Sequence, residues 1–226
     1  GQIDGVGSIF KIATAGTGFQ IIHRFALATA SNQDGSPVNT NGAYPEAELV
    51  EGADGYLYGT TRAGGPNGTG TIFKISRDGT DFRSLYSFGA VTSASGSGLT
   101  VTADGAAPLG PLVAGADNAF YGTTSQGGTN GRGTVFRIAF DGTGFQVLHH
   151  FSATTIDTTT GLPENADGAT PLGGLVDSTV GQVLAQHERD LGFDAWGDEA
   201  RHGHRAALGH GHVVEEHAEV GLVDAE

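Results

Sequence analysis

The 226-residue chain has no cysteine, no methionine and a single tryptophan. Without cysteine there are no disulfides and no thiolate metal sites, although the compartment stays open because exported bacterial proteins also lack cysteine. Basic residues are scarce as well, 11 Lys and Arg against 25 Asp and Glu, for a net charge of −14. A surface this acidic repels phosphate backbones and anionic headgroups, which argues against nucleic acid and anionic membrane as partners. No apolar run reaches the roughly 18 residues of a membrane span, and no charged leader with an apolar core opens the chain, so no membrane-inserting segment or signal peptide is visible. What is plentiful is glycine, 39 residues, with Ser and Thr beside it and Phe leading the aromatics at 12. That composition suits short strands joined by tight turns.

The strings around Phe10, Phe73 and Phe136 read GSIFKI, GTIFKI and GTVFRI, each 63 residues after the last. The same interval relates Phe19, Phe82 and Phe145, then Phe25, Phe88 and Phe151, then Pro45, Pro108 and Pro171. A fixed period without insertion or deletion marks tandem structural repeats. Each full unit carries four apolar or β-branched runs separated by Gly, Asn or Asp, predicting a four-stranded antiparallel meander. In the third unit these are residues 111–114, 119–124, 134–140 and 145–151. Alternation within Thr134-Val135-Phe136-Arg137-Ile138 puts Phe136 and Ile138 on one face as core residues. One sheet leaves a face wet, so the units must stack, and radial stacking of four-stranded blades is the propeller solution.

The expected fold class is therefore all-β: a partial β-propeller of about three four-stranded antiparallel blades over residues 1–177. Residues 1–30 supply the last two strands of one unit, 45–90 and 108–153 two full units, and 171–177 the opening of a fourth. The chain starts inside a unit and reads as a fragment or processed chain. Segments 89–107 and 152–170 read as long polar loops on one face, where binding specificity would sit.

The motifs GAxPxGxLV (Gly105-Ala106-Ala107-Pro108-Leu109-Gly110 onward), YGTT (Tyr121-Gly122-Thr123-Thr124), the Gly127-Gly128 stretch to Phe136, and the distal Phe151 resemble the GloVer-type tandem repeat of bacterial exported proteins. The resemblance covers residues 1–177. It implies a propeller-like fold and an extracellular or cell-surface setting, and it implies no activity and no catalytic residue.

A fourth unit should place YGTT at 184–187, where the chain has Leu184-Ala185-Gln186-His187. Residues 178–226 lack Lys, Asn, Pro, Ile and Tyr and hold 6 of the 9 His and 10 of the 25 acidic residues. This acidic, His-rich tail reads as a frameshifted or misjoined frame. The alternative is an irregular or partly helical natural tail, with amphipathic stretches at 180–191 and 213–223.

Candidate chemistry is thin. His202-Gly203-His204 and His210-Gly211-His212, with Glu215 and Glu216, have metal-ligand residue types without an ordered spacing, and read as a biased tail. Asn165-x-Asp167-Gly168 is half of a calcium loop and reads as a turn. The glycine-rich stretch 64–70 lacks a phosphate-loop Lys and leads into a strand, so it reads as a hairpin loop; its Asn67-Gly68-Thr69 fits a glycan acceptor, but the next unit has Asn130-Gly131-Arg132 there. His23, His149 and His150 end strands, where a base for a Ser or Thr nucleophile is conceivable but a structural role is favoured. Tyr58 and Tyr121 with their Thr pairs could line a glycan groove, yet their recurrence favours packing.

No catalytic or metal residue and no cofactor is therefore assigned. The reading is a non-enzymatic binding or structural module of a secreted or surface bacterial protein, with carbohydrate or protein as partner. The alternative is a propeller enzyme, a lyase or hydrolase, with its site in missing blades or a central channel.

Overall fold

The computed structural model describes residues 6–32, 35–94, 99–159, 161, 163–177 and 183–185. All of them lie in one compact body, Gly1–Gly192. Every element among them is a strand. The first unit contributes the hairpin β1 (Ser8–Lys11) and β2 (Gln20–Arg24), then a small hairpin β3 (Ala30–Ser31) and β4 (Pro37–Val38). The second unit is the sheet β5 (Val50–Glu51), β6 (Leu57–Thr61), β7 (Thr71–Ile75) and β8 (Phe82–Ser87), in sequential order. There follow β9 (Ser93–Ala94) and β10 (Thr100–Ala106), which pair with each other.

The third unit repeats the plan with β11 (Val113–Ala114), β12 (Ala119–Thr124), β14 (Thr134–Ala139) and β15 (Gln146–His150), while β13 (Gln126–Gly128) pairs with β10. A last small hairpin, β16 (Thr155–Ile156) and β17 (Pro163–Glu164), precedes β18 (Leu175–Asp177) and β19 (Val183–Ala185).

The four-stranded meander is thus present in both full units, with equivalent registers. Tyr58 lies opposite Lys74 and Tyr121 opposite Arg137, one period apart, and both sheets shift register at the same place, before Phe73 and before Phe136. Phe136 and Ile138 are fully buried, as the alternation of their strand predicts.

Two expectations need correction. Segments 89–107 and 152–170 are not plain loops: each folds into a small hairpin, and β10, at seven residues, is the longest strand described. β-branched Thr100, Val101 and Thr102 favour extended backbone even in a polar context. Val183–Ala185 was expected inside an amphipathic helix and is instead a strand paired with β18. Val176 faces Leu184 there, the register of Val113 with Tyr121 and of Val50 with Tyr58, so the repeat's pairing continues to residue 185. The rest of the tail, including His202, His204, His210 and His212, lies outside the described residues.

Consecutive units pack through aromatic side chains. Phe25 meets Phe73 at 5.5 Å and 69° and Phe82 at 5.8 Å and 87°; one period later Phe88 meets Phe136 at 5.5 Å and 69° and Phe145 at 5.8 Å and 87°. These edge-to-face arrangements place the positive ring edge on the neighbouring face. They seed two apolar clusters, one around Phe25, Phe73 and Ile75 and one around Phe88, Phe136 and Ile138.

The backbone joint between units is equally regular. Tyr44, Ala107 and Thr170 all have positive φ, 59°, 53° and 53°, and their amides donate to the carbonyls of Val6, Thr69 and Arg132 of the preceding unit. Left-handed backbone is uncommon outside glycine, so its recurrence at one repeat position marks a required bend. The prolines that follow press on the same glycine each time. A Cβ on Gly7, Gly70 or Gly133 would come within 2.4, 2.7 or 2.8 Å of Pro45, Pro108 or Pro171 Cδ. That contact explains why the prolines recur.

Candidate functional site

The polar residues worth weighing sit where the fourth strand of a unit meets the joint to the next. In the third unit His149 Nε2 lies 2.7 Å from Asp167 Oδ2, and the Ser152 amide donates to Asp167 Oδ1 at 2.9 Å. Burial pushes the Asp167 carboxyl up, but hydrogen bonds from Ser152 and His149 outweigh it and leave the group below its ordinary value. A histidine oriented by a carboxylate is half of a nucleophile-activating triad. Among the described residues, no hydroxyl hydrogen-bonds to His149.

The same constellation recurs in the other units. In the second, the Tyr86 hydroxyl donates to Asp104 Oδ2 at 2.6 Å and the Gly89 amide donates to the same carboxylate at 2.9–3.0 Å. In the first, His23 Nε2 lies 3.2 Å from Asn41 Nδ2, and the Ala26 amide donates to Asn41 Oδ1 at 2.8 Å. The aromatic member then stacks flat on the next unit: His23 on Phe82 at 3.8 Å and 4°, Tyr86 on Phe145 at 3.9 Å and 5°. A position that tolerates His, Tyr and His, partnered by Asn, Asp and Asp, holds a strand end against the joint and does not need an imidazole. His149–Asp167 is the third copy of this clasp. Its recurrence at 41, 104 and 167, each time just before a Gly, was readable in the sequence at the 63-residue period; its stacking partner was not.

The remaining candidates resolve into packing and turns. Tyr58 is fully buried, and its hydroxyl donates to Asp54 at 2.8 Å, which together with burial pushes its phenol well above the usual range. The hydroxyls of Thr61 and Thr71 lie 2.9 Å apart and those of Thr124 and Thr134 2.8 Å apart, all four inside the core. Tyr121 is half-buried and donates to Asp117. Stretch 64–70 is the loop between β6 and β7. Asn67 Nδ2 donates to the Phe88 carbonyl at 2.7 Å and Asn130 Nδ2 to the Phe151 carbonyl at 2.8 Å, so the Asn of the glycan pattern serves as a loop anchor in both units. Asn165 Oδ1 accepts from the Asp167 amide, the bond of an Asx turn. Among the described residues no three His, Asp or Glu side chains gather into a metal-binding group, and no helix is long and apolar enough to cross a membrane.

The model of the Gloeobacter/Verrucomicrobia repeat matches residues 1–185. The chain belongs to this repeat family. The match runs through β19, eight residues past the end of the motif-bearing region, in step with the register that β18 and β19 share with earlier units. No curated protein matches the chain. The Gloeobacter/Verrucomicrobia repeat is, on these grounds, a structural repeat module whose recurring polar positions hold units together.

Proposed function

We propose that the units are blades of a propeller-like array that acts as a non-enzymatic scaffold on a secreted or surface bacterial protein, presenting the hairpins β3–β4, β9–β10 and β16–β17 to a carbohydrate or protein ligand. The observation that carries this reading is the identity of the two unit-to-unit interfaces. Residue-for-residue repetition of Phe25, Phe73 and Phe82 by Phe88, Phe136 and Phe145, at the same angles, is what one repeated rotation generates. Sequence differences between units concentrate on the small hairpins, where a scaffold carries its specificity. The extracellular setting rests on the family resemblance.

A glycan array probed with the whole chain tests the ligand class. Binding that is lost on exchanging 152–170 for 89–107, with the thermal melt unchanged, supports the hairpins as the binding face; silence across the array counts against carbohydrate. The competing reading, a propeller lyase or hydrolase, draws on His149–Asp167. Turnover of a polysaccharide or ester substrate that disappears in His149→Ala would favour it.

A further inference from the structure

The two ends of the described repeat carry the two halves of one unit-to-unit interface. At the first unit, Phe10, Ile12 and Phe19 are 57 %, 51 % and 60 % exposed, whereas their equivalents Phe73, Ile75, Phe136 and Ile138 are fully buried. A Cβ on Gly16 would meet nothing within 4 Å, yet its equivalents Gly79 and Gly142 press against Ile22 and Leu85 on the preceding fourth strand. At the third unit the complement is exposed. Leu148, the equivalent of Ile22 and Leu85, is 44 % accessible, and the His149 side chain is 48 % accessible, although its counterparts His23 and Tyr86 stack on a phenylalanine of the next unit. The backbone edges complement each other as well. Among the described strands β19 pairs only with β18 and β1 only with β2, so one hairpin is the first half of a four-stranded sheet and the other is the second half.

We propose that two copies of this chain associate head to tail, β1–β2 of each completing the sheet that β18–β19 of the other begins. Transferring the β6–β7 register sets Ala185 opposite Phe10 and Leu184 opposite Lys11 of the second copy. The same placement seats Phe10 and Phe19 on Phe151 and His149, and Gly16 on Leu148. One docking event thus covers the exposed aromatic face, satisfies both open edges and reproduces an interface already present twice in the chain.

The stoichiometry follows from closure, and here the proposal rests on the propeller reading above. Two full sheets and two halves amount to three blades per chain, below the four to eight that close a ring, while two copies supply six. A head-to-tail contact whose rotation closes makes a ring; one that does not makes a filament.

Light scattering and sedimentation equilibrium on the full chain should give twice the 23.0 kDa of a single chain. Phe19→Asp and Leu148→Asp, on opposite halves of the contact, should each weaken the dimer by about tenfold or more, because each buries a carboxylate against apolar surface, with the circular dichroism spectrum unchanged. An equimolar mixture of the two variants should regain a two-chain species, since one of its two junctions is intact. A folded wild-type monomer would overturn the docking and leave the propeller reading standing. A dimer broken by Phe19→Asp but indifferent to Leu148→Asp would mean a face-to-face contact and overturn the head-to-tail arrangement. Open filaments of three or more chains would overturn ring closure and the propeller reading together.

Discussion

The interface between the first and second units and that between the second and third share their aromatic geometry to within a degree, and differ in one polar pair. The first uses His23 with Asn41, the second Tyr86 with Asp104. The apolar part is invariant because a ring edge must meet a ring face at a fixed separation for both to be buried, whereas the clasp only requires a donor and an acceptor beside a flat ring. Stacking is thus specified by phenylalanine, and the polar position is free to drift.

The largest effects should come from the phenylalanines, and the comparison that isolates them uses one repeat position in three environments. Phe136→Ala and Phe73→Ala remove fully buried rings and should each cost about 3–5 kcal/mol in denaturant titrations. Phe10→Ala, at the exposed copy of that position, should cost under about 1 kcal/mol in a monomeric background such as Leu148→Asp. Equal losses at all three would mean that covering by the neighbouring unit is not what buries the ring.

Next come the joints. Gly70 has φ of 104°, and a Cβ there would sit 2.5 Å from the Thr61 carbonyl oxygen and 2.7 Å from Pro108 Cδ. Gly55 has φ of 77° with nothing near its would-be Cβ. Gly70→Ala combines backbone strain with a clash against backbone and should lose about 2–4 kcal/mol; Gly55→Ala carries the strain alone, about 1 kcal/mol. If both melt alike, proline contact is not what keeps glycine at the joint.

These two tests separate what was legible from what was not. The period, the four strands per unit and the inward faces of Phe136 and Ile138 follow from spacing and alternation, because a side-chain period of two maps directly onto a half-buried sheet. The prolines at 45, 108 and 171 were visible, but not that they press on Gly7, Gly70 and Gly133, since that contact joins residues 38 apart through a bend at Tyr44, Ala107 and Thr170. The hairpin containing β10 was hidden by its Gly- and Ser-rich surroundings. The clasp was hidden for a different reason: His149 and Asp167 carry catalytic residue types, and only the Tyr86–Asp104 and His23–Asn41 copies show them holding a strand end.

The clasp itself should give smaller losses. Asp104→Ala leaves the Gly89 amide and the Tyr86 hydroxyl without their acceptor and should cost about 1–3 kcal/mol. Asp104→Asn imports the first unit's solution and should cost under about 1 kcal/mol, because Asn41 already accepts the equivalent amide from Ala26. A severe Asn variant would show that the carboxylate charge, absent from the first unit, matters in the second.

The smallest effect, and the one that sets the interfaces most directly against each other, is their pH dependence. Burial holds His23 below its ordinary value of 6.5, so the folded state favours neutral imidazole stacked on Phe82. Its contribution is complete above the unfolded value and is lost as pH falls through the lower folded one. Tyr86 runs the other way: burial first, then the bond to Asp104, raise its phenol above 10.0, so its contribution is complete below that value and is lost as pH rises through the folded one. The carboxylates held low, among them Asp78 at about 2, lose their contribution only below the ordinary carboxylate value of 3.8, clear of the histidine window. Hydrogen exchange reads the interfaces separately, through the Phe25 amide bonded to the Gly7 carbonyl and the Phe88 amide bonded to the Gly70 carbonyl. Between pH 6.5 and 4.5 protection at Phe25 should fall while Phe88 holds, and above pH 10 the order should reverse. The double variant His23→Tyr with Asn41→Asp should abolish the acid response at Phe25; an unchanged response there would place the acid sensitivity elsewhere in the first unit.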